Sequence, residues 1–247
     1  MGLEMLSIDL TNHCGKQCPF CYNHSTRDGG VVWKPSEVIG FVKDCVANGI
    51  KAVSLGGGEP FEYDGVFEVI GALQPIVYLS VTSNGLPLDD AGRWDALLRN
   101  RPDKIHVTIH RPDSGSEVDR VTRTVARLSA AGIRSGVNLM VSASAVDDAR
   151  RVYARLRRTL GADQIILVPQ RFSDTPTPRQ LASVAGGQPF QSPDCILGCR
   201  RPERFCSVSW DKKANSCSFA GGRQRLATLD FKGLTDALAR VDFAGCG

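Results

Sequence analysis

The sequence lacks long hydrophobic runs and a strong excess of charge of either sign. No apolar stretch in its 247 residues reaches the ~18 residues that a membrane-spanning helix needs. Lys and Arg together number 30 against 26 Asp and Glu, which is too small an excess to predict nucleic-acid binding. The amino terminus also lacks the basic region of a signal peptide. These absences predict a cytoplasmic protein without a membrane or nucleic-acid partner.

The supply of hydrophobic residues, by contrast, is sufficient for a folded core. They make up 42% of the chain and charged residues make up 23%, which excludes a disordered protein. The length favours one large α/β unit with an additional segment over two full domains.

The first 170 residues alternate six times between strand-like and helix-like segments. The strand-like segments are rich in Val, Ile and Leu, as in parallel strands that are covered on both faces. They span residues 5–10, 52–55, 76–81, 105–109, 136–141 and 164–168, and the helices between them span 36–47, 63–73, 90–98, 116–131 and 146–160. A complete eightfold barrel needs about 250 residues. The pattern therefore predicts an α/β fold, a partial (β/α)6 TIM-like barrel over residues 1–170.

The composition changes after the sixth strand. Residues 171–194 are rich in Pro and Gly, which predicts a linker or surface loop. Residues 195–247 are predicted to form a cysteine-rich module, with β-hairpin strands at 204–210 and 216–219 and a helix at 234–241.

Nine cysteines are many for a cytoplasmic protein, in which disulfides are rare. Cys14, Cys18 and Cys21 lie on one loop after strand one, at the end of the barrel where such folds place active sites. Three thiolates can hold three irons of an iron–sulfur cube and leave the fourth iron open. A zinc site completed by His13 or His24 is the alternative, as is a buried trio without metal.

A second motif, Gly56-Gly57-Gly58-Glu59-Pro60, follows strand two. Together with the C-x₃-C-x-Phe-C spacing of the cysteine loop, it resembles the radical S-adenosylmethionine (SAM) superfamily over roughly residues 4–170. The resemblance implies that Cys14, Cys18 and Cys21 ligate a [4Fe–4S] cluster whose fourth iron chelates SAM.

The resemblance also implies which residues contact SAM and substrate. Gly57, Gly58 and Glu59 would hold the methionine end, with the Glu59 carboxylate pointing into the barrel mouth, and Phe20 would lie near the adenine. The other expected cofactor contacts are Ser83, Asn84, Thr108, Asn138, Leu167 and Val168, and the expected substrate contacts are His110 and Arg171. Polar residues at strand ends are also common as turn residues, so that alternative stays open.

The tail carries a second group of thiols at Cys195, Cys199, Cys206 and Cys217. Its spacing resembles the SPASM and twitch modules of radical SAM enzymes, which implies a second, auxiliary [4Fe–4S] cluster. Those modules usually supply further ligands downstream, where this chain has only Cys246, the substitute if one of the four fails. A structural zinc site satisfies four thiolates equally well. Cys45, on the apolar face of helix one, is predicted to be a core residue.

These features predict a radical SAM oxidoreductase. It would cleave SAM to a 5′-deoxyadenosyl radical, take a hydrogen atom from a small natural-product intermediate and complete an oxidation with the auxiliary cluster. A flavodoxin- or ferredoxin-type reductant is the expected partner. Because strand one begins near residue 5, no leader-binding domain is expected before it, which favours a small-molecule substrate over a peptide. The alternatives are a peptide (RiPP) maturase that forms a cross-link or an epimer, and a non-enzymatic iron–sulfur electron carrier or zinc-stabilised binding module.

Overall fold

The computed structural model describes residues 2–243, in which strands and helices alternate as predicted from the sequence. The elements are β1 (Met5–Asp9), α1 (Pro35–Ala47), β2 (Ala52–Gly56), α2 (Val66–Leu73), β3 (Tyr78–Ser83), α3 (Ala91–Arg99), β4 (Lys104–Ile109), α4 (Gly115–Ala130), β5 (Arg134–Val141), α5 (Val146–Leu156), β6 (Ile165–Pro169), α6 (Pro178–Val184), β7 (Phe205–Val208), β8 (Lys213–Asn215), β9 (Gln224–Arg225) and α7 (Phe231–Ala239). None of the helices within these residues has the length and apolar character of a membrane span.

All nine described strands belong to one open sheet in the order β6-β5-β4-β3-β2-β1-β7-β8-β9. The first six strands pair in parallel with their neighbours along the chain, and the helices between them form the crossovers. The predicted α/β partial barrel is therefore confirmed.

The tail extends this sheet. Strand β7 pairs in parallel with β1, so that Leu6 lies opposite Cys206, and β8 and β9 add antiparallel strands. The second hairpin strand is Lys213–Asn215, and residues 216–219, predicted to be that strand, lie outside it. The difference arises at a tight turn in which Lys212 has a φ of 61° and its amide donates to the Ser209 carbonyl.

The segment predicted to be a linker contains a helix. Helix α6 begins after Thr177, whose hydroxyl caps the amide of Gln180, and it buries Leu181 and Val184. Further along, the Gln191 carbonyl accepts from the Leu167 amide at the outer edge of β6. Because an open strand edge invites pairing with other chains, this segment protects the edge of the sheet.

The barrel strands alternate between apolar and polar side chains, and this corrects the expectation of strands that are apolar on both faces. The apolar positions pack into the same buried cluster as the helices and include Leu6, Ile8, Val53, Leu55, Leu79, Val81, Ile105, Val107 and Ile109. The polar positions face the other way and line a cavity; they include Ser7, Ser54, Ser80, Thr82, His106 and Thr108. Bulky branched side chains fill the interior of closed barrels. Small hydroxyl side chains leave it open here.

Candidate active site

A cavity of about 580 Å³ lies on the polar side of the sheet. The cysteine loop, the glycine-rich loop after β2 and the polar positions of the strands all contribute to its wall. The predicted site residues that line it are Cys14, Cys18, Phe20, Cys21, Gly57, Gly58, Ser83, Asn84, Thr108, His110, Asn138, Val168 and Arg171. Residues from six strand ends, distant in the sequence, thus share one cavity.

The glycine-rich loop packs directly against the cysteine loop. A Cβ atom on Gly58 would lie 2.1 Å from the His13 carbonyl oxygen, and one on Gly57 would lie 2.6 Å from that of Thr11. Gly57 also has a φ of 108°, a conformation that side chains disfavour. The Gly58 amide donates to Thr11 over 2.6 Å and the Glu59 amide to His13 over 2.9 Å. The close approach of the two loops therefore requires both glycines.

The Glu59 carboxylate points away from the expected place at the barrel mouth. It is fully buried and accepts hydrogen bonds from the Ser83 hydroxyl (2.7 Å), the Asn84 amide (2.7 Å) and the Phe61 amide (3.1 Å). Burial raises its pKa to about 7, although these hydrogen bonds oppose the rise. The carboxylate thus joins the end of β2 to the end of β3. Asn84 in turn directs its side-chain amide at the Cys14 thiol, 3.7 Å away.

Two carboxylates position the cysteine loop. Glu62 accepts from the Gly15 amide (2.9 Å) and lies 3.4 Å from the His13 imidazole. On the other side, the Lys16 ammonium lies 2.6 Å from Glu117 and 3.1 Å from Nδ1 of His110. Burial would raise the pKa of Glu117, but hydrogen bonds from His110 and Lys16 outweigh it and lower that pKa to about 2. The loop is therefore attached to two neighbouring parts of the barrel.

Cys14, Cys18 and Cys21 line the cavity from one loop, and three thiolates are the donor set that a cluster with one open position requires. Burial raises the pKa of the Cys14 thiol, and it raises that of Cys18 to about 11, so these two thiols carry protons until a metal displaces them. In the described part of the chain, no three His, Cys, Asp or Glu side chains form a ready-made ligand set. Neither His13 nor His24, the predicted fourth ligands of a zinc site, lines the cavity wall that carries the three cysteines, which disfavours the zinc alternative.

One predicted cofactor contact, Leu167, lies outside the cavity wall. Its side chain is fully buried, and its neighbours Ile166 and Val168 line the cavity instead. Because successive side chains of a strand point to opposite faces, Leu167 faces the helices. A contact through its side chain is therefore ruled out by the geometry.

The tail cysteines separate into two groups. Cys206 is fully buried beside Cys45 in the core; burial raises the pKa of its thiol, which points at the Met5 carbonyl. Its neighbour Phe205 lines the cavity, so Cys206 faces the opposite side of the sheet. This corrects the prediction that Cys206 is a cluster ligand. Cys45 is a core residue, as predicted.

Two of the other tail cysteines, Cys195 and Cys217, contact residues that line the cavity. Cys195 accepts a hydrogen bond of 2.9 Å from Arg171, whose guanidinium lies 5.5 Å from the centre of the Phe219 ring. Cys217 accepts from the Phe219 amide, and Cys199 is exposed. Arg171 and Phe219 both line the cavity, whereas Cys195, Cys199 and Cys217 do not. Cys246 lies outside the described residues.

Several polar residues in and beside the cavity were not predicted from the sequence. Tyr22 hydrogen-bonds Asp9 (3.5 Å) at the end of β1, and its ring packs against Phe219 of the tail. Burial raises the pKa of Asp9 to about 6. His106 and Lys104 line the cavity from β4. The alternation of polar and apolar residues in the strands signals Asp9, Lys104 and His106, whereas no pattern signals Tyr22, which lies on the cysteine loop.

The fold and the site define a partial α/β barrel with a loop that can hold an open three-thiolate iron–sulfur centre. The model of the radical SAM superfamily matches residues 8–155. The chain belongs to the radical SAM superfamily and is an enzyme of that class. Membership implies a [4Fe–4S] cluster and SAM as cofactors.

Several curated relatives are GTP 3′,8-cyclases. The probable GTP 3′,8-cyclase of Methanocella arvoryzae is 32% identical over 111 residues, which are 45% of this chain and 36% of that protein. The one of Pyrococcus abyssi is 38% identical over 84 residues, 34% of this chain and 28% of that protein. The matched region therefore spans about a third of the length of these relatives.

Solved structures of the same fold include two that carry bound ligands. Streptococcus suis SuiB bound to its precursor peptide SuiA superposes with a TM-score of 0.71 and 14% identity over 88% of this chain and 60% of SuiB. The anSMEcpe structure with bound SAM gives a TM-score of 0.67 and 14% identity over 96% of this chain and 81% of that protein. At this identity the likeness concerns the fold alone.

Proposed function

We propose that the protein is a radical SAM oxidoreductase that dehydrogenates a small molecule inside the cavity. The observation that carries the proposal is that Cys14, Cys18 and Cys21 share one cavity wall with Phe20 and the glycine-rich loop. When bound, the cluster and SAM supply a 5′-deoxyadenosyl radical that removes a hydrogen atom from a substrate C–H bond.

The residues of the wall would bind and orient SAM. Gly57 and Gly58 line the cavity, and their backbone carbonyls suit the ammonium group of its methionine end. Phe20 stacks beside His110 with ring centres 6.5 Å apart and offers an apolar face to the adenine. Thr108 and Asn138 lie opposite each other on β4 and β5 and suit the ribose hydroxyls. Glu59 would contribute indirectly: its carboxylate accepts hydrogen bonds from the Ser83 hydroxyl and the Asn84 amide and so holds these two residues in place.

A second cluster on the tail would make the reaction an oxidation. Cys195, Cys199 and Cys217 are the proposed ligands, and the burial of Cys206 favours Cys246 as the fourth. Four thiolates close a cube, which then supplies an electron acceptor rather than a SAM site. Arg171 and Phe219 line the cavity and contact Cys195 and Cys217, respectively, which would connect the second cluster to the cavity wall. A flavodoxin or ferredoxin is the proposed source of electrons for the first cluster.

A peptide substrate is the alternative within the same class. SuiB and anSMEcpe share the fold, and structures of both contain bound peptides, which is the support for this alternative. The relatives among GTP 3′,8-cyclases point to a small molecule instead. A non-enzymatic electron carrier or a zinc module would explain the cysteines. It would not explain the cavity or the contacts between loops that shape the rim of the cavity.

Anaerobic reconstitution with iron, sulfide, dithionite and SAM tests the proposed class. The expected product is 5′-deoxyadenosine, which a carrier or zinc module does not form. The variant in which Cys14, Cys18 and Cys21 are all replaced by Ala should lose this product and retain the iron of the tail. Formation of 5′-deoxyadenosine by that variant would contradict the assignment.

A further inference from the structure

The cavity extends well beyond the residues proposed to hold SAM. Four register partners on neighbouring strands line its inner end and are called the inner row: Ser7, Ser54, Ser80 and Lys104. Lys104 begins β4, six residues before His110, which corresponds to about 20 Å of extended strand. The inner row therefore lies far from the cysteine loop.

A small molecule can reach the inner row. All four of its residues are partly buried and none of them is enclosed by the core. Met5 and Tyr78 lie two residues before Ser7 and Ser80, on the same face of the sheet, and are 46% and 40% exposed. The inner end of the cavity is therefore open to solvent, and a ligand there can contact the side chains of the row.

Lys104 differs from the other two cations in the described lining of the cavity. The Lys16 ammonium pairs with Glu117, and Arg171 donates a hydrogen bond to Cys195. Lys104 forms no ion pair with any carboxylate of the described residues, and none of those carboxylates lines the cavity. The protein itself therefore supplies no counter-charge to this ammonium.

A second cation lies beside Lys104. Arg134 is its register partner on β5, is exposed, and likewise forms no ion pair within the described part of the chain. Burial lowers the pKa of Lys104, the charge of Arg134 lowers it further, and the charge of Asp163 opposes the change. Two neighbouring cations without a partner repel each other, and an anion bound beside them would stabilise both.

We propose that the inner row binds an anionic group of the substrate, a phosphate or a carboxylate, with Lys104 as its principal cation. The proposal rests on the proposed function and specifies its substrate class: a small molecule whose anionic group lies at the end remote from SAM. Arg134 adds positive charge at the opening. The hydroxyls of Ser54 and Ser80 donate to the other oxygens of the anion, since phosphate and carboxylate oxygens accept several hydrogen bonds.

The lining of the cavity disfavours other classes of small molecule. A cationic ligand would meet Lys104 and no described Asp or Glu. A purely apolar ligand would remove the ammonium and the serine hydroxyls of the inner row from water without replacing their hydrogen bonds, which is costly. An anionic ligand satisfies both the charge and the hydrogen-bond donors of the row.

Carbon NMR of the lysine side chains tests the binding directly, since the chain has only eight lysines. They are converted to ¹³C-dimethyl-lysine, which keeps the charge, and the full-length protein is then reconstituted with oxidised clusters and SAM. The signal that is missing in Lys104→Arg is that of Lys104. Inorganic phosphate and acetate are titrated separately at constant ionic strength.

At least one of the two anions should shift the Lys104 signal to saturation. A response to phosphate alone indicates a phosphorylated substrate, and a response to acetate alone indicates a carboxylate. The absence of a saturable shift with either anion overturns the proposal.

Calorimetry with the responding anion tests the role of the charge. Lys104→Met keeps the apolar part of the side chain and should weaken binding about tenfold or more, whereas Lys104→Arg should retain it. Lys43→Met, on the exposed face of α1, changes the net charge equally and should bind as the native protein does.

Equal binding by Lys104→Met and Lys43→Met overturns the proposal, and if Lys104→Met does not fold, the NMR titration decides. Neither measurement requires turnover, so failure of SAM cleavage would contradict only the proposed function.

Discussion

The Lys16 ammonium lies 2.6 Å from the Glu117 carboxylate and thereby joins the cysteine loop to the first turn of α4. Their side chains are only 14% and 11% exposed. A second bond from the His110 amide (2.7 Å) holds the same carboxylate oxygen at the end of β4. The loop that carries the three thiols is thus tied to a helix about a hundred residues away in the sequence.

Replacing Glu117 with Gln should therefore destabilise the protein by about 2 kcal/mol or more, because Lys16 loses its partner while mostly buried. Urea unfolding measures the change. The matched control is Asp119→Asn on the same helix, which breaks an exposed pair with Arg155 and should cost about 1 kcal/mol or less. Equal losses of unfolding free energy in both variants would show that the Lys16–Glu117 pair stabilises the protein no more than the exposed pair does.

Gly58→Ala should disturb the contact between the glycine-rich loop and the cysteine loop. Its Cβ would lie 2.1 Å from the His13 carbonyl, so one loop must move, at a cost of about 1–3 kcal/mol. We expect lower stability and less iron in the reconstituted protein. Gly40→Ala is the control: it meets no atom within 4 Å inside α1 and should stabilise by about 0.5–1 kcal/mol. Unchanged iron content in Gly58→Ala would argue against the loop contact.

Cys217→Ala and Cys206→Ala should separate a cluster ligand from a core residue. With two clusters, the native protein holds about eight irons, and Cys217→Ala should retain about four with 5′-deoxyadenosine still formed and oxidised product lost. Cys206→Ala should keep all of its iron and lose only about 1 kcal/mol of stability from the core. About four irons and one zinc in the native protein would instead indicate a structural zinc site in the tail.

Glu59 should make stability depend on pH. Burial raises its pKa in the folded protein to about 7 from an unfolded value of 4.5. The folded state therefore binds more protons than the unfolded state between these values, so its contribution to stability is full below pH 4.5 and is lost as pH rises towards 7. Glu59→Gln should flatten this part of the profile. Thermal unfolding at pH 5, 6, 7 and 8 measures how the stability of each protein changes with pH. The same change in the native protein and in Glu59→Gln would contradict a raised pKa of Glu59.

Local sequence patterns predicted most of the fold, because strand and helix periods are properties of neighbouring residues. Helix α6 was missed since prolines and glycines surround it. Its start was nevertheless readable: Thr177 precedes Pro178, and Gln180 completes a capping box. The burial of Cys206 was also readable, because it alternates with Phe205 in a strand.

The candidate site could be predicted where a sequence motif marks its residues. It could not be predicted where only contacts in the folded chain bring the residues together. The two motifs together, through the family that they resemble, predicted that the three loop cysteines and the glycines lie in one site, and these residues line one cavity. The Lys16–Glu117 pair joins positions about a hundred residues apart, and no local pattern signals such a contact. The direction of the Glu59 carboxylate depends on Ser83 and Asn84, on another strand, so the motif alone misplaced it.

The pairing of β7 with β1 has a consequence for how the chain is made. The Cys206 thiol and the Met5 carbonyl, which meet in this pair, are separated by 201 positions. During synthesis β1 therefore leaves the ribosome long before β7 has been made. Until then, the amide and carbonyl groups on the β7 side of β1 have no strand to pair with. Such an edge is a template for strands of other chains. Chains shortened before residue 205 should consequently aggregate even where the barrel is intact, and assistance from a chaperone would matter most during this interval.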